Sequence, residues 1–326
     1  MQYVSLGKTG VKVSTLCLGT MTFGNESDEA TSRAIMNHAL EVGINFFDTA
    51  HNYNKGATEE IIGRWLPPHR SEIILASKVY FPSGGGMNDR GTSRRNILFT
   101  VEKTLKRLQT DYLDLLYLHY WDDEAALDHA LAALTTLVEQ GKVIYAGVSN
   151  FAAWQTTSAI LLAEAKRYAP IVCIQPMYSL VKRQVEVEIL PMAQYYGLAV
   201  VPYNAIAAGL LTGKYLRGEK GRLAEVEMYR QRYANPQYVE TTEKFVVYAQ
   251  EKGYSPAALA VAWVMAHPAV TSTIVGARNL EQFKDTLGCL QIQLSPEERA
   301  AISAFSPTPP HATDREPLSL VNTRGW

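Results

Sequence analysis

Eight short, apolar, strand-like runs recur along this chain, separated by longer segments with helical spacing. That alternation limits the fold more than any other feature. The runs lie at 16–20, 45–49, 73–78, 113–119, 146–149, 171–175, 199–203 and 273–276, and the main helical segments at 27–42, 92–109, 123–140, 152–168 and 184–196. Leu131, Leu134, Leu137 and Val138 show the three- and four-residue spacing of one buried helix face. Ser255 followed by Pro256 reads as a cap and first turn that open another helix through His267. Strands that alternate with helices pair in parallel. Runs apolar on both faces suit a sheet covered by helices on one side and filled on the other. The expected fold is α/β, a (β/α)8 TIM barrel, because closure leaves no exposed sheet edge. An open doubly wound sheet normally carries G-x-G-x-x-G after a strand, and that spacing occurs nowhere in the chain.

Two additions interrupt the alternation. Tyr3–Ser5 with Leu6, and Val11 to Val13, flank Gly7-Lys8-Thr9-Gly10 and read as a hairpin able to plug one barrel end. After the seventh run, residues 210–238 are charged and weakly periodic, and a connection that long in a compact domain is usually functional. Length favours one barrel domain over 1–326, since α/β barrels routinely occupy this many residues; the Pro-rich segment 306–326 reads as an extended tail. Lys and Arg total 31 against 32 Asp and Glu, so no basic excess points to nucleic acid. The N-terminus lacks a signal-peptide pattern and no apolar run reaches bilayer length, so a cytoplasmic protein without a membrane partner is expected. Three scattered cysteines, Cys17, Cys173 and Cys289, argue against a disulfide framework.

Barrel chemistry gathers where strands end, so the polar residue closing each run matters most. The second run closes on Asp48, with Tyr53 in the loop beyond; the third closes on Lys78, the fourth on His119 and the fifth on Ser149-Asn150. The sixth closes on Gln175 and the seventh on Tyr203. One barrel face thus gathers an acid, a phenol, an amine, an imidazole, two carboxamides and a ring. Singly, each has an ordinary structural reading: Asp48 and Lys78 as an ion pair, Tyr53 as a loop aromatic, His119 as a satisfied histidine. His51 ends no strand and keeps its structural reading. His119 to Glu124 looks ligand-rich, but Asp122 or Asp123 is placed to cap the next helix, and no metal site is expected.

The order and spacing of these motifs resemble the aldo-keto reductase family along nearly the whole chain. The motifs are Leu18-Gly19-Thr20-Met21, the run from Gly43 to Ala50 with Tyr53 beyond it, and Ser77-Lys78-Val79. They continue with Asp111 to Leu115 leading to His119, Gly147 to Phe151, Gly209 to Tyr215, and Ile274 to Arg278. The resemblance is to the subgroup of bacterial reductases and potassium-channel β-subunits. It implies a catalytic tetrad of Asp48, Tyr53, Lys78 and His119. Chemically, hydride transfer to a carbonyl builds charge on oxygen that must be stabilised and protonated. A phenol near its reference pKa of about 10 is a poor acid, so Lys78 is expected to lower Tyr53, Asp48 to hold Lys78, and a neutral His119 to orient the carbonyl.

The resemblance further implies NADPH as cofactor. Ser149, Asn150 and Gln175 would hold the nicotinamide carboxamide, and Tyr203 would stack on its ring. Gly19, Thr20, Met21, Asp48, Asn204, Ile206, Ala207, Gly209, Leu210 and Lys214 would line its path. Gly276, Arg278, Gln282 and Asp285 would hold the adenosine end, where a helix N-terminus and an arginine suit a phosphate. Gly209 to Lys214 is one residue short of a P-loop, so a nucleoside triphosphatase is not expected. Met21, Phe23, Tyr80, Phe81 and Trp121 are the expected apolar substrate wall. Two departures stand out: Asn204-Ala205 replaces the family's usual Ser-Pro, and Thr286 takes a position commonly Asn. The expected activity is NADPH-dependent reduction of aldehydes, with ketones as a second carbonyl class, and with Tyr53 as proton donor. The alternative is a cofactor-binding, redox-sensing regulatory subunit with slow turnover. The sequence leaves the substrate and the oligomeric state open.

Overall fold

The computed structural model describes residues 1–82, 84–311 and 313. A two-stranded antiparallel hairpin, β1 (Tyr3–Ser5) and β2 (Lys12–Ser14), precedes eight parallel strands. These are β3 (Leu16–Gly19), β4 (Phe46–Asp48), β5 (Ile74–Val79), β6 (Leu113–Leu118), β7 (Val143–Ser149), β8 (Ile171–Gln175), β9 (Ala199–Val200) and β10 (Thr273–Val275). Each pairs with the next in chain order, and β10 returns to pair with β3. The remaining seam is carried by single bonds: Ile274 N donates to the Pro202 carbonyl at 2.9 Å and Thr271 N to that of Val200 at 2.8 Å. The sheet thereby closes into the expected TIM barrel.

Helices α1 (Glu29–Glu41), α2 (Ala57–Trp65), α3 (Arg94–Leu108), α4 (Leu127–Glu139), α5 (Ala153–Lys166) and α6 (Ile189–Tyr196) cover the first strands. The segment after β9 folds into short 3-10 turns and two brief helices, α7 (Arg222–Glu225) and α8 (Glu227–Arg232). Then follow α9 (Pro236–Glu251), α10 (Pro256–Met265), α11 (Leu280–Leu287) and α12 (Pro296–Ser303). Most of the expected tail at 306–326 lies outside the described residues. Among those described, no helix is long and apolar enough to cross a membrane.

Helix α4 starts later than the sequence predicts, and neither acid caps it. Asp122 instead accepts from the Thr92 and Glu124 backbone amides, Asp123 accepts from the Trp121 indole, and the cap position is Ala126 with no side-chain bond. Ser255 does sit at the start of α10, but its hydroxyl donates to Asp285 at 2.9 Å.

Strand periodicity splits the apolar residues into two cores. Leu16, Leu18, Phe47, Leu75, Leu116 and Leu118 face outward against the helices. Cys17, Phe46, Ala76, Leu115, Tyr117, Cys173 and Val201 fill the interior, with Leu6 and Val13 of the hairpin added beneath them. The hairpin thus plugs the barrel. Its Gly7, at φ +56°, lies so close to the Val172 carbonyl that a Cβ would come within 3.0 Å of it.

Gly63 sits inside α2 at its crossing with α3, where an added Cβ would fall 1.9 Å from the Arg107 carbonyl oxygen. In an open helix, Gly→Ala gains about 1 kcal/mol. Here Gly63→Ala should instead lose about 1–3 kcal/mol through overpacking, read as a lower urea midpoint. A raised midpoint would show that the crossing has room to spare.

Candidate active site

The inward register that fills the barrel also aims the site. Asp48 lies two residues beyond Phe46, Lys78 two beyond Ala76, His119 two beyond Tyr117, Gln175 two beyond Cys173 and Tyr203 two beyond Val201. Each continues an inward-facing row past the apolar plug. They meet at the C-terminal mouth of the barrel, in a cavity of about 730 Å³ lined by Asp48, Tyr53, His119, Gln175 and Tyr203.

Lys78 is the hub. Its Nζ lies 2.5 Å from Asp48 Oδ1, 2.8 Å from the Thr49 carbonyl and 3.2 Å from Tyr53 Oη. An ammonium has three N–H donors, and all three are used. Burial works against the charge, but Asp48 and Tyr53 outweigh it and hold Lys78 above the ordinary lysine range. The second oxygen of Asp48 accepts from Gln175 Nε2 at 2.8 Å. Because Tyr53 Oη accepts from Lys78, its own proton is left to point elsewhere.

The expected lowering of Tyr53 does not occur. Burial raises the phenol, Lys78 pulls it down, and the Asp48 charge cancels part of that pull, so Tyr53 stays above its usual value. A resting phenol that keeps its proton is the form a general acid needs. His119 is pushed well below the ordinary histidine range by burial and then by Lys78, so it is neutral at physiological pH. Its Nδ1 is buried without a hydrogen-bond partner among the described residues. The Tyr53 and His119 rings meet edge to face at 6.3 Å.

The loop carrying Tyr53 is held by backbone that only some residues tolerate. Asn54, Lys55 and Gly56 take φ of +47°, +58° and +97°, and Asn54 Nδ2 donates to the Met21 and Phe23 carbonyls. His51 stays out of the cavity, buried, with its ring nitrogens each 2.6 Å from the carbonyl oxygens of Lys78 and Phe81.

The cofactor candidates divide. Gly19, Thr20, Met21, Asn150, Gln175, Tyr203, Asn204, Ile206, Gly209, Lys214, Gly276, Arg278, Gln282 and Asp285 line the cavity. Ser149, Ala207 and Leu210 sit behind that wall; Ser149 is fully buried and spends its hydroxyl on the Gln175 carbonyl. Asn150 is committed at both ends, donating to the His119 carbonyl and accepting from the Tyr203 hydroxyl at 2.6 Å. Asn204, at φ +69°, accepts from Ala208 N and donates to the Tyr233 hydroxyl, so the departure from Ser-Pro ties the turn to the segment beyond it. Thr286 lines the cavity and donates to the Gln282 carbonyl.

Of the expected substrate wall, Met21 and Phe81 face the cavity. Phe23 does not; it is fully buried in the outer core. Tyr80 packs behind Phe81 and Tyr120, and Trp121 turns away onto Phe151 and Trp154. Tyr120, Met228, Tyr229 and Arg232 complete the wall instead. The last three come from the segment after β9, whose weak periodicity hid them.

That segment is stitched across the mouth. Arg222 pairs with Glu26 in the loop after β3, and Arg278 reaches the same carboxylate at 3.1 Å. Burial raises Glu26, but the Arg222 bond and the charges of Arg222 and Arg278 outweigh it and hold the carboxyl below its ordinary value. A carboxylate lowered on folding stabilises above its unfolded pKa, and the contribution is lost as pH falls through the folded value. The clamp is therefore at full strength at neutral pH. Glu26→Gln should speed proteolytic cleavage within 210–238 several-fold at pH 7, scored by mass spectrometry. Unchanged cleavage would remove Glu26 from this role.

Residues 15–307 match the family model described as the aldo/keto reductase family. The chain is 41% identical to the uncharacterized oxidoreductase YrpG of Bacillus subtilis, over 95% of this chain and 97% of that one. It is 35% identical to a probable voltage-gated potassium channel subunit beta of Oryza sativa, over 96% and 99% of the two chains. Norsolorinic acid reductase A of Aspergillus parasiticus is 32% identical, over 91% of this chain and 79% of that protein. Matched along nearly its whole length in this way, the chain belongs to the aldo/keto reductase family.

Proposed function

We propose that this protein is an NADPH-dependent reductase of aldehydes, and of some ketones, with Tyr53 as the proton donor. The observation that carries the reading is the fully bonded Lys78 ammonium, set between Asp48 and Tyr53 with the phenol facing the cavity. When bound, the cofactor supplies a hydride to the carbonyl carbon. The carbonyl oxygen then gains charge and takes its proton from Tyr53 Oη. Lys78, already bonded to that oxygen, stabilises the phenolate left behind, and Asp48 holds Lys78 in place through the transfer. Neutral His119 donates a second hydrogen bond without competing for the proton.

The residues present fit such a cofactor. Glycine floors the cavity where Gly19 and Gly276 approach: a Cβ on Gly276 would come within 2.9 Å of the Gly19 carbonyl. At the far end Lys214, Arg222 and Arg278 gather positive charge beside the start of α11, an arrangement suited to phosphate. Tyr203, held by Asn150, offers a ring for the nicotinamide, and Gln175 Oε1, with no bond among the described residues, is available to the carboxamide. A second reading, a cofactor-binding regulatory subunit, draws on the name of the rice relative. Many turnovers of cofactor with a simple aldehyde would exclude it.

Tyr53→Phe should cut kcat by about 10²–10⁴-fold, the usual range for a lost general acid, while cofactor Kd changes little. The ring stays and only the donor goes, so the loss falls on the chemical step. Near-normal turnover would take Tyr53 out of this role.

Preference for NADPH over NADH should depend on Arg278. Its side chain is mostly buried and shared with Glu26, so a 2′-phosphate would compete with one carboxylate for the same donors. Such a charge-assisted contact contributes about 1.5–3 kcal/mol, roughly ten- to a hundredfold in affinity. Arg278→Ala should weaken NADPH by that factor and leave NADH nearly unchanged in titrations of both cofactors. An equal loss for the two would assign Arg278 to the loop alone.

A further inference from the structure

The cations on the cavity wall are not equally provided for. Arg217 pairs with Glu219 at 2.7 Å, and Arg222 and Arg278 share Glu26. Lys214 stands with Arg222 and Arg278, whose charges, after burial, push its pKa down, so it belongs to the phosphate-suited end. Arg232 is different. Among the described residues it has no carboxylate within ion-pair distance; its Nη2 reaches only the Met228 sulfur at 3.7 Å, and its guanidinium stands 5.5 Å from the Tyr229 ring. It is partly buried on the cavity wall, with a fork of donors unspent.

Its chain neighbour Tyr233 bonds the side chain of Asn204, next to Tyr203, which sets Arg232 on the tetrad side of the Tyr229 ring that Arg222 approaches from the other end. Burial pushes the Tyr203 phenol up to about 12, and the charge that opposes this most is that of Arg232. Tyr203 in turn bonds Asn150, which bonds the His119 carbonyl. Tyr229, whose ring lies beside Arg232, lines the same cavity as Tyr53. The wall near these groups is aromatic or thioether: Phe81, Tyr120, Met228 and Tyr229.

We infer that the substrate is an aldehyde that also carries a carboxylate on an aromatic or short apolar frame, and that Arg232 binds that carboxylate while the carbonyl meets Tyr53 and His119. This rests on the reductase reading above and names its substrate class. The guanidinium offers two parallel N–H donors to a carboxylate and no match to a neutral ester. Binding energy gained at that remote group orients the carbonyl, so its loss falls on kcat/KM.

The test compares 4-carboxybenzaldehyde with its methyl ester and with benzaldehyde, using NADPH and the full-length protein. Wild type should favour the carboxylate by at least about tenfold in kcat/KM. Arg232→Gln should lose about ten- to a hundredfold on the carboxylate, with a much smaller loss on the ester and no change in cofactor Kd, and Arg232→Lys should recover part of it. Calorimetric titration of the holoenzyme with 4-(hydroxymethyl)benzoate reads the same contact without turnover, so failure of the anchor is distinguishable from failure of reduction. Absence of a carboxylate preference in wild type would overturn the inference. So would a loss shared equally by the ester, or one located in cofactor Kd, which would make Arg232 a phosphate contact.

Discussion

A closed barrel must pair every strand with two neighbours, and in this chain the last pairing is the thinnest. Strand β9 has two residues and β10 has three, and they join through the bonds from Ile274 to Pro202 and from Thr271 to Val200. Thr271 adds its hydroxyl, accepting from Val200 N at 3.0 Å. Without that seam there is no interior, and without an interior no common direction for the strand ends. Closure places Asp48, Lys78, His119, Gln175 and Tyr203 around one axis, although they lie up to 155 positions apart along the chain. The geometry of the site is therefore a consequence of the packing beneath it. Tyr117 and Cys173, whose hydroxyl and sulfur meet at 3.2 Å, support His119 and Gln175 from one layer below.

The same closure makes the chemistry possible by removing water. Lys78 and Asp48 are almost wholly buried, and a lone charge in that position would be costly. Pairing solves the problem for both and fixes the amine against the Tyr53 oxygen. The phenol then experiences two opposed fields at short range. Lys78 alone would favour phenolate in the resting protein; with Asp48 and burial opposing it, the proton stays. The balance keeps the phenol protonated with a cation in contact with its oxygen, the state the proposed reduction requires.

How much of this the sequence discloses depends on whether local pattern or distant contact decides. The barrel was readable because each strand is apolar on both faces, and the cluster at its mouth because Asp48, Lys78 and His119 each close such a run, with Tyr53 in the loop beyond the second. Asp122 and Asp123 misled because an acid before a helix is usually a cap, whereas here a distant Thr92 and a neighbouring Trp121 claim them. Phe23 and Trp121 were misplaced for a related reason: apolar loop residues carry no sign of which side they face. Glu59 had no signal at all. Buried in α2, it binds Ser77 of β5 and both Thr104 and Arg107 of α3, and nothing near it in sequence announces that. The segment after β9 was recognised by its length, but its wall residues emerge only when short helices fold over the mouth.

That segment differs from the barrel in the kind of force that holds it. The barrel rests on two apolar cores, whereas α7 and α8 contribute few buried side chains, Tyr229 among them, and otherwise depend on polar stitches. Glu26 to Arg222, Asn204 to Tyr233, and Tyr215 to the Ala208 carbonyl are each single points of attachment. Partly exposed polar contacts contribute little individually, so this segment opens at a lower free energy than the strands it covers. A cavity whose floor is tightly bonded and whose cover is weakly held can admit a large ligand without disturbing the Lys78 hub. Because Glu26 also holds Arg278, the contact that closes the cover is the same one a cofactor phosphate would disturb. Under the proposed cofactor reading, closure and phosphate recognition would draw on the same carboxylate.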